Sequence, residues 1–160
     1  MTTPKRLEET AFGGARLSFE ISRVLHREHT AQHRLDLIEN PVFGKVLMLD
    51  GATQVTSADE FIYHEMMAHV PLIGHGAARD VLIVGGGDCG LAEEVLKHAG
   101  IERLLQVEID ASVVAFAKQH FSEFNAAAFT DPRFAIEIAD GAAFVANTDR
   151  RFHVILIDST

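Results

Sequence analysis

Asp88, Glu108, Asp140 and Asp158 each follow closely on a short apolar run. The runs are Asp80 to Val84, Arg103 to Ile109, Phe134 to Ile138 and His153 to Ile157. Asp88 lies inside Gly85-Gly86-Gly87-Asp88-Cys89-Gly90, which matches the Gly-x-Gly-x-x-Gly nucleotide fingerprint at Gly85, Gly87 and Gly90. Glycines there let backbone approach a ligand. The same residues would also serve a tight strand-to-helix turn. Asp88 separates the two readings, because a carboxylate beside a helix N-terminus repels pyrophosphate and attracts ammonium or sulfonium. Glu108, about 20 residues on, is placed to accept hydrogen bonds from two ribose hydroxyls. Asp140-Gly141 is placed to meet an adenine amino group. Acidic residues on successive strand ends suit an adenosine-bearing ligand with a cationic tail.

Strands alternating with helices must position these groups. Helices are expected at Leu91 to His98, Ala111 to His120 and Gly141 to Ala146. Another is expected from Asp59 to His69, capped by Ser57 or Asp59, with Phe61, His64 or Glu65, Ala68 and Val70 at its turns and Pro71 stopping it. This alternation predicts a parallel sheet in an α/β, Rossmann-like domain over 58–160. Only four strands precede Thr160, so the sheet reads as truncated or dependent on another chain.

Residues 1–57 have a different rhythm. Leu17, Phe19 and Ile21 alternate with polar residues. Leu35, Leu37 and, with a change of phase, Val42 form a second series. Val46 to Leu49 leads into the turn Asp50-Gly51, and Gln54 to Thr56 resume an extended segment. A small antiparallel β domain is expected, too thin to hold a core alone and suited to pairing with another copy.

The chain has 160 residues, 48% hydrophobic and 23% charged, with net charge −9. That balance is globular, and its sign argues against a nucleic-acid groove while suiting a cationic partner. The single cysteine, Cys89, excludes an intrachain disulfide. No signal-peptide pattern opens the sequence, and no run reaches the roughly 20 apolar residues of a membrane span. A soluble, cytoplasmic protein without membrane partners is expected. His26, His29, His69, His75, His98, His120 and His153 show no zinc spacing and read as surface or packing residues, so no metal site is assigned.

The chain resembles the polyamine aminopropyltransferases, above all bacterial spermidine synthases. The resemblance covers roughly residues 35–160. It rests on Leu49 to Gln54, Asp59 to Met66, Val81 to Gly90, Val107 to Asp110, Asp131-Pro132-Arg133, Asp140-Gly141 and Ile157 to Thr160. It implies aminopropyl transfer from decarboxylated S-adenosylmethionine to putrescine, giving spermidine and methylthioadenosine. Decarboxylated S-adenosylmethionine is a co-substrate, and no prosthetic group is implied. Asp88 would hold the aminopropyl ammonium, Glu108 the ribose, and Asp140 and Gly141 the adenine. Tyr63 and His64 would line the polyamine channel, and Asp158 would accept a proton from the attacking amine. The N-terminal strands would build a homodimer or homotetramer.

Some positions depart from the family pattern. A glutamine expected before the second N-terminal strand aligns with His33, with Gln32 one place earlier, so that nucleoside contact is assigned to neither. The usual N-terminal tryptophan is absent. Cys89 stands where glycine is usual and reads as a small packing residue. The family pattern is expected to continue past Asp158-Ser159-Thr160 with a second aspartate and then a Pro-x-Gly-Pro loop that covers the substrate. Two other readings stand beside aminopropyl transfer: a methyltransferase using ordinary S-adenosylmethionine on a small amine, and an inactive truncated oligomerisation module.

Overall fold

The computed structural model describes residues 5–159, so Thr160, the last residue of the Ile157 to Thr160 motif, lies outside the described residues. The chain divides into two compact units, with the boundary between Glu60 and Phe61.

In the first unit β1 (Arg6–Phe12) and β2 (Ala15–Glu20) form an antiparallel hairpin. Then β3 (Arg23–His29), β4 (Arg34–Asn40), β5 (Gly44–Leu49) and β6 (Ala52–Thr56) form an antiparallel sheet in sequential order. Asp50 and Gly51 both have positive φ, 51° and 84°, as a two-residue hairpin turn between right-twisted strands requires. Phe19 packs with Ile38, Val46 and Met48. Of the expected alternating series, Leu17 is instead exposed. Val42 lies in the turn between β4 and β5, also exposed, so its shifted phase marks the end of a strand rather than its continuation.

The second unit opens within α1 (Glu60–His75), at its second residue, Phe61. Pro71 lies inside this helix rather than ending it. The helix ends at Gly76, whose φ is +77° and whose N–H donates to the Leu72 carbonyl at 3.0 Å, a left-handed C-terminal cap. The buried residues of α1 are His64, Ala68 and Leu72, while Phe61 and Val70 are exposed. Spacing of four residues selects this stripe.

Next come β7 (Asp80–Gly85), α2 (Gly90–Leu96), β8 (Arg103–Glu108), α3 (Ala111–His120), α4 (Ser122–Asn125), β9 (Phe134–Ile138), α5 (Gly141–Asn147) and β10 (Val154–Asp158). The strands form a parallel sheet in the order β10-β7-β8-β9. One face of the sheet packs Val81, Ile83, Leu104 and Leu156 against Leu91, Val95 and Ile101. The other packs Leu82, Leu105 and Val107 against Phe144 and Phe152. Truncating a fully buried leucine such as Leu91 to alanine costs about 2–5 kcal/mol.

The strand order places the site. Running β7, β8, β9 the chain moves one way across the sheet, then β10 returns to the other side of β7. Beyond the carboxyl ends of β7 and β10 lies the switch point where open α/β sheets bind ligands.

Candidate active site

The ends of these strands carry the acidic residues in spatial order Asp158, Asp88, Glu108 and Asp140. With neighbouring strands about 4.8 Å apart, the row spans roughly 14 Å. Surface depressions elsewhere, one lined by Leu72, Arg79, His98 and Ile101 and another by Asp80, Arg103, Arg150 and Phe152, involve none of these acids.

The loop joining β7 to α2 is shaped by Gly85 and Gly86, with φ of +86° and +68°. A Cβ on Gly85 would run into the Asp158 carbonyl. The Gly86 N–H donates to that carbonyl at 2.8 Å, so the loop and the end of β10 are one hydrogen-bonded unit. Asp88 Oδ1 accepts from the Gly90 N–H at 2.8 Å and lies 3.4 Å from His64 Nε2. His64 is buried, and a Cβ on Gly90 would overlap its ring. Gly90 therefore makes room for His64 to reach Asp88. The His64 ring also meets Tyr63 and Phe124, at centroid distances of 5.7 and 5.8 Å.

Tyr63 donates its hydroxyl hydrogen to Asp158 Oδ1 at 2.7 Å. Burial pushes the Asp158 carboxyl above the usual aspartate range and nearby Asp88 adds to this, while the Tyr63 hydrogen bond and His64 pull it down. Burial, then the bond to Asp158, pushes the Tyr63 phenol up, so it stays a neutral donor. Glu108 is buried, and its Oε1 accepts from the Asp110 N–H at 2.9 Å. Asp110 in turn caps α3 through the Ser112 N–H at 2.8 Å.

Tyr63, His64, Asp88 and Asp158 thus form one linked cluster. Asp140 occupies the far end of the row, where its carboxylate caps α5 by accepting from the Ala143 N–H at 3.0 Å. A Cβ on Gly141 would overlap Val84. Asp140 and Gly141 share the sheet edge with the cluster but have a structural task of their own. In the first unit, His33 Nδ1 lies 2.9 Å from Asp50 Oδ2, whereas Gln32 is exposed in the preceding turn. Cys89 is buried at a left-handed φ of 63°. Burial, then Asp88, pushes its thiol up.

Two residues that sequence reading passed over hold the loop. The Asn125 amide donates to the Asp88 carbonyl at 2.8 Å and the Ala117 carbonyl at 3.1 Å. The Gln106 amide donates to the Gly85 and Gly86 carbonyls. A lone glutamine within Leu104-Leu105-Gln106-Val107 was the available signal.

A parallel sheet with a glycine loop at its switch point, edged with carboxylates, defines a Rossmann-like protein of the methyltransferase type. Residues 60–160 match the spermine/spermidine synthase domain and residues 7–57 the spermidine synthase tetramerisation domain. The chain belongs to the spermine/spermidine synthase family. It is 53% identical over 142 residues to a polyamine aminopropyltransferase of Sodalis glossinidius, covering 89% of this chain and 50% of that protein. It is 49% identical to one of Serratia proteamaculans, covering 100% of this chain and 56% of the other. The chain spans about half the length of the curated relatives it matches. Crystal structures of Thermotoga maritima spermidine synthase and of a spermidine synthase with the transition state analogue AdoDATO each superpose with a TM-score of 0.91 at 40% identity. Each superposition covers 99% of this chain and 55% of the other. Among the described residues no helix is long and apolar enough to cross a membrane, and no group of three metal-ligating side chains is assembled.

Proposed function

We propose that the protein transfers the aminopropyl group of decarboxylated S-adenosylmethionine to putrescine, yielding spermidine and methylthioadenosine. The observation that carries this reading is the Tyr63–Asp158 and His64–Asp88 pairing around the glycine loop. It sets two carboxylates side by side with different surroundings. Family membership and the neighbour bound to a transition state analogue support it.

In this reading Glu108 holds the ribose hydroxyls, Asp140 and Gly141 meet the adenine, and Asp88 holds the ammonium of the aminopropyl group. Tyr63 and His64 line the amine path. The putrescine nitrogen attacks the methylene beside the sulfonium; a C–N bond forms, the C–S bond breaks, and its electron pair leaves with a neutral thioether. The ammonium proton passes to Asp158, whose raised pKa brings it nearer the strength of a general base at neutral pH. In-line alignment supplies the remaining acceleration. The reaction itself requires neither a metal ion nor a prosthetic group. Residues 1–57 serve assembly and substrate contacts and 58–160 nucleoside binding, in a homodimer or homotetramer working in the cytoplasm.

The test is an aminopropyl-transfer assay with putrescine. Asp158→Asn should lower kcat by about 10²–10⁴-fold while methylthioadenosine affinity stays within threefold. Undiminished kcat, or methyl transfer from ordinary S-adenosylmethionine in its place, would reject the assignment.

A further inference from the structure

We propose that Gln106 is a positioning residue for this reaction, clamping the glycine loop and, through it, Asp158. The inference rests on the function proposed above.

Gln106 lies on β8 with no exposed surface, flanked in sequence by apolar Leu105 and Val107. Its amide nitrogen donates to the Gly85 carbonyl at 2.9 Å and the Gly86 carbonyl at 2.5 Å. The amide's orientation follows from these partners, because the flipped form would set its oxygen against two carbonyl oxygens. Gly86 is the junction of the site. Its carbonyl also accepts from the Cys89 N–H at 2.8 Å, and its own N–H donates to the Asp158 carbonyl at 2.8 Å. A Cβ on Gly86 would press on Asp158 Oδ2, so the carboxylate rests directly over this residue. One side chain on β8 thereby fixes the peptide that fixes the end of β10.

The other half of the amide makes the case stronger. Gln106 Oε1 is buried without a hydrogen-bond partner. A buried orphan acceptor is costly, and an apolar side chain of the same length would avoid that cost. Packing alone therefore disfavours glutamine here. What glutamine adds over methionine is a pair of donors aimed at the two left-handed glycines.

The experiment uses Gln106→Met and Gln106→Glu in the ligand-free and the working protein. In Gln106→Met the Gly86 amide should exchange with solvent at least tenfold faster than in wild type, while the Leu104 amide at the far end of β8, bonded to the Arg133 carbonyl, changes less than twofold. Its kcat should fall about tenfold while KM for putrescine changes less than twofold. In Gln106→Glu the protonated acid keeps one donor and the ionised acid keeps none. Its kcat should therefore approach wild type at low pH and drop away as pH rises, adding a limb to the pH profile. Unchanged Gly86 exchange together with unchanged kcat in Gln106→Met overturns the inference, as does a Gln106→Glu profile parallel to wild type. Failure of the wild-type protein to transfer an aminopropyl group overturns the functional reading instead, and amide exchange at Gly86 still decides whether the clamp exists.

Discussion

Tyr63, in the first turns of α1, donates its hydroxyl hydrogen to Asp158 at the end of β10, 95 residues away in sequence and 2.7 Å away in space. The bond opposes burial. Burial and Asp88 push the Asp158 carboxyl up, and Tyr63 is the first of the groups that hold it down. Removing the phenol in Tyr63→Phe takes away a stabiliser of the ionised form, so the Asp158 pKa rises further. If Asp158 is the base, the acidic limb of kcat/KM should move to higher pH, with the largest loss of activity on the acid side. A limb that stays in place or moves to lower pH would show that Tyr63 does not tune the base.

The same imbalance bears on stability. A carboxyl whose folded pKa exceeds its unfolded value takes up protons more readily when folded. Its contribution to stability therefore declines as pH rises from the unfolded pKa through the folded one, and is unfavourable at neutral pH. Asp158→Asn removes that charge. Its melting temperature at pH 7 should exceed that of wild type, and the difference should vanish below about pH 4. A melting temperature lowered at pH 7 would mean that the ionised carboxylate is held favourably.

Arg133 ties the strand ends opposite the site to α2. Its guanidinium donates to the Leu96 and Ile101 carbonyls at 2.7 and 3.1 Å and pairs with Asp131. Hydrogen bonds from Arg133 hold the Asp131 carboxyl down at about 2. Its stabilising effect is present above the ordinary aspartate pKa and is lost as pH falls from about 4 through about 2. Lysine cannot reproduce the planar fork. Arg133→Lys should cost about 1–3 kcal/mol in urea unfolding through carbonyls left without donors, with methylthioadenosine binding unaltered. A loss of binding with stability intact would place Arg133 in the site.

Much of the second unit was legible because its rules are local. Ala111–His120 and Phe134–Ile138 have the expected bounds, since an Asp110 cap and a short run before an acidic turn are written in consecutive residues. The continuation of α1 past Pro71 was not legible. A proline removes one donor, but packing of Ala68 and Leu72 in the core outweighs that loss. The strand β1 was also hidden, because its mostly polar, exposed residues carry no strong period. In the site, acids at strand ends could be read directly. The links among Tyr63, His64, Asp88 and Asp158 could not, because they depend on strand order rather than spacing. Gln106 stands out as the one polar residue in an apolar run, but that Gln106 and Asn125 hold loop carbonyls depends on tertiary placement.

Cys89 should behave as a packed thiol. It is fully buried, and burial with Asp88 disfavours the thiolate, the reactive form. Native protein at pH 8 should resist alkylation over hours, and denatured protein should react in minutes. Cys89→Gly should relieve a left-handed non-glycine residue, with a stability change within about 1 kcal/mol because lost packing offsets the relief. Rapid alkylation of the native thiol would reveal an open loop.

In the proposed function a row of carboxylates selects a cationic nucleoside. Calorimetric titration with decarboxylated and ordinary S-adenosylmethionine tests it most directly, because the two ligands differ by one carboxylate. Repulsion from Asp88 should make the decarboxylated form bind at least tenfold more tightly, about 1.4 kcal/mol, and Asp88→Asn should erase most of the difference. Equal affinity, or preference for the ordinary form, would rule out selection by Asp88.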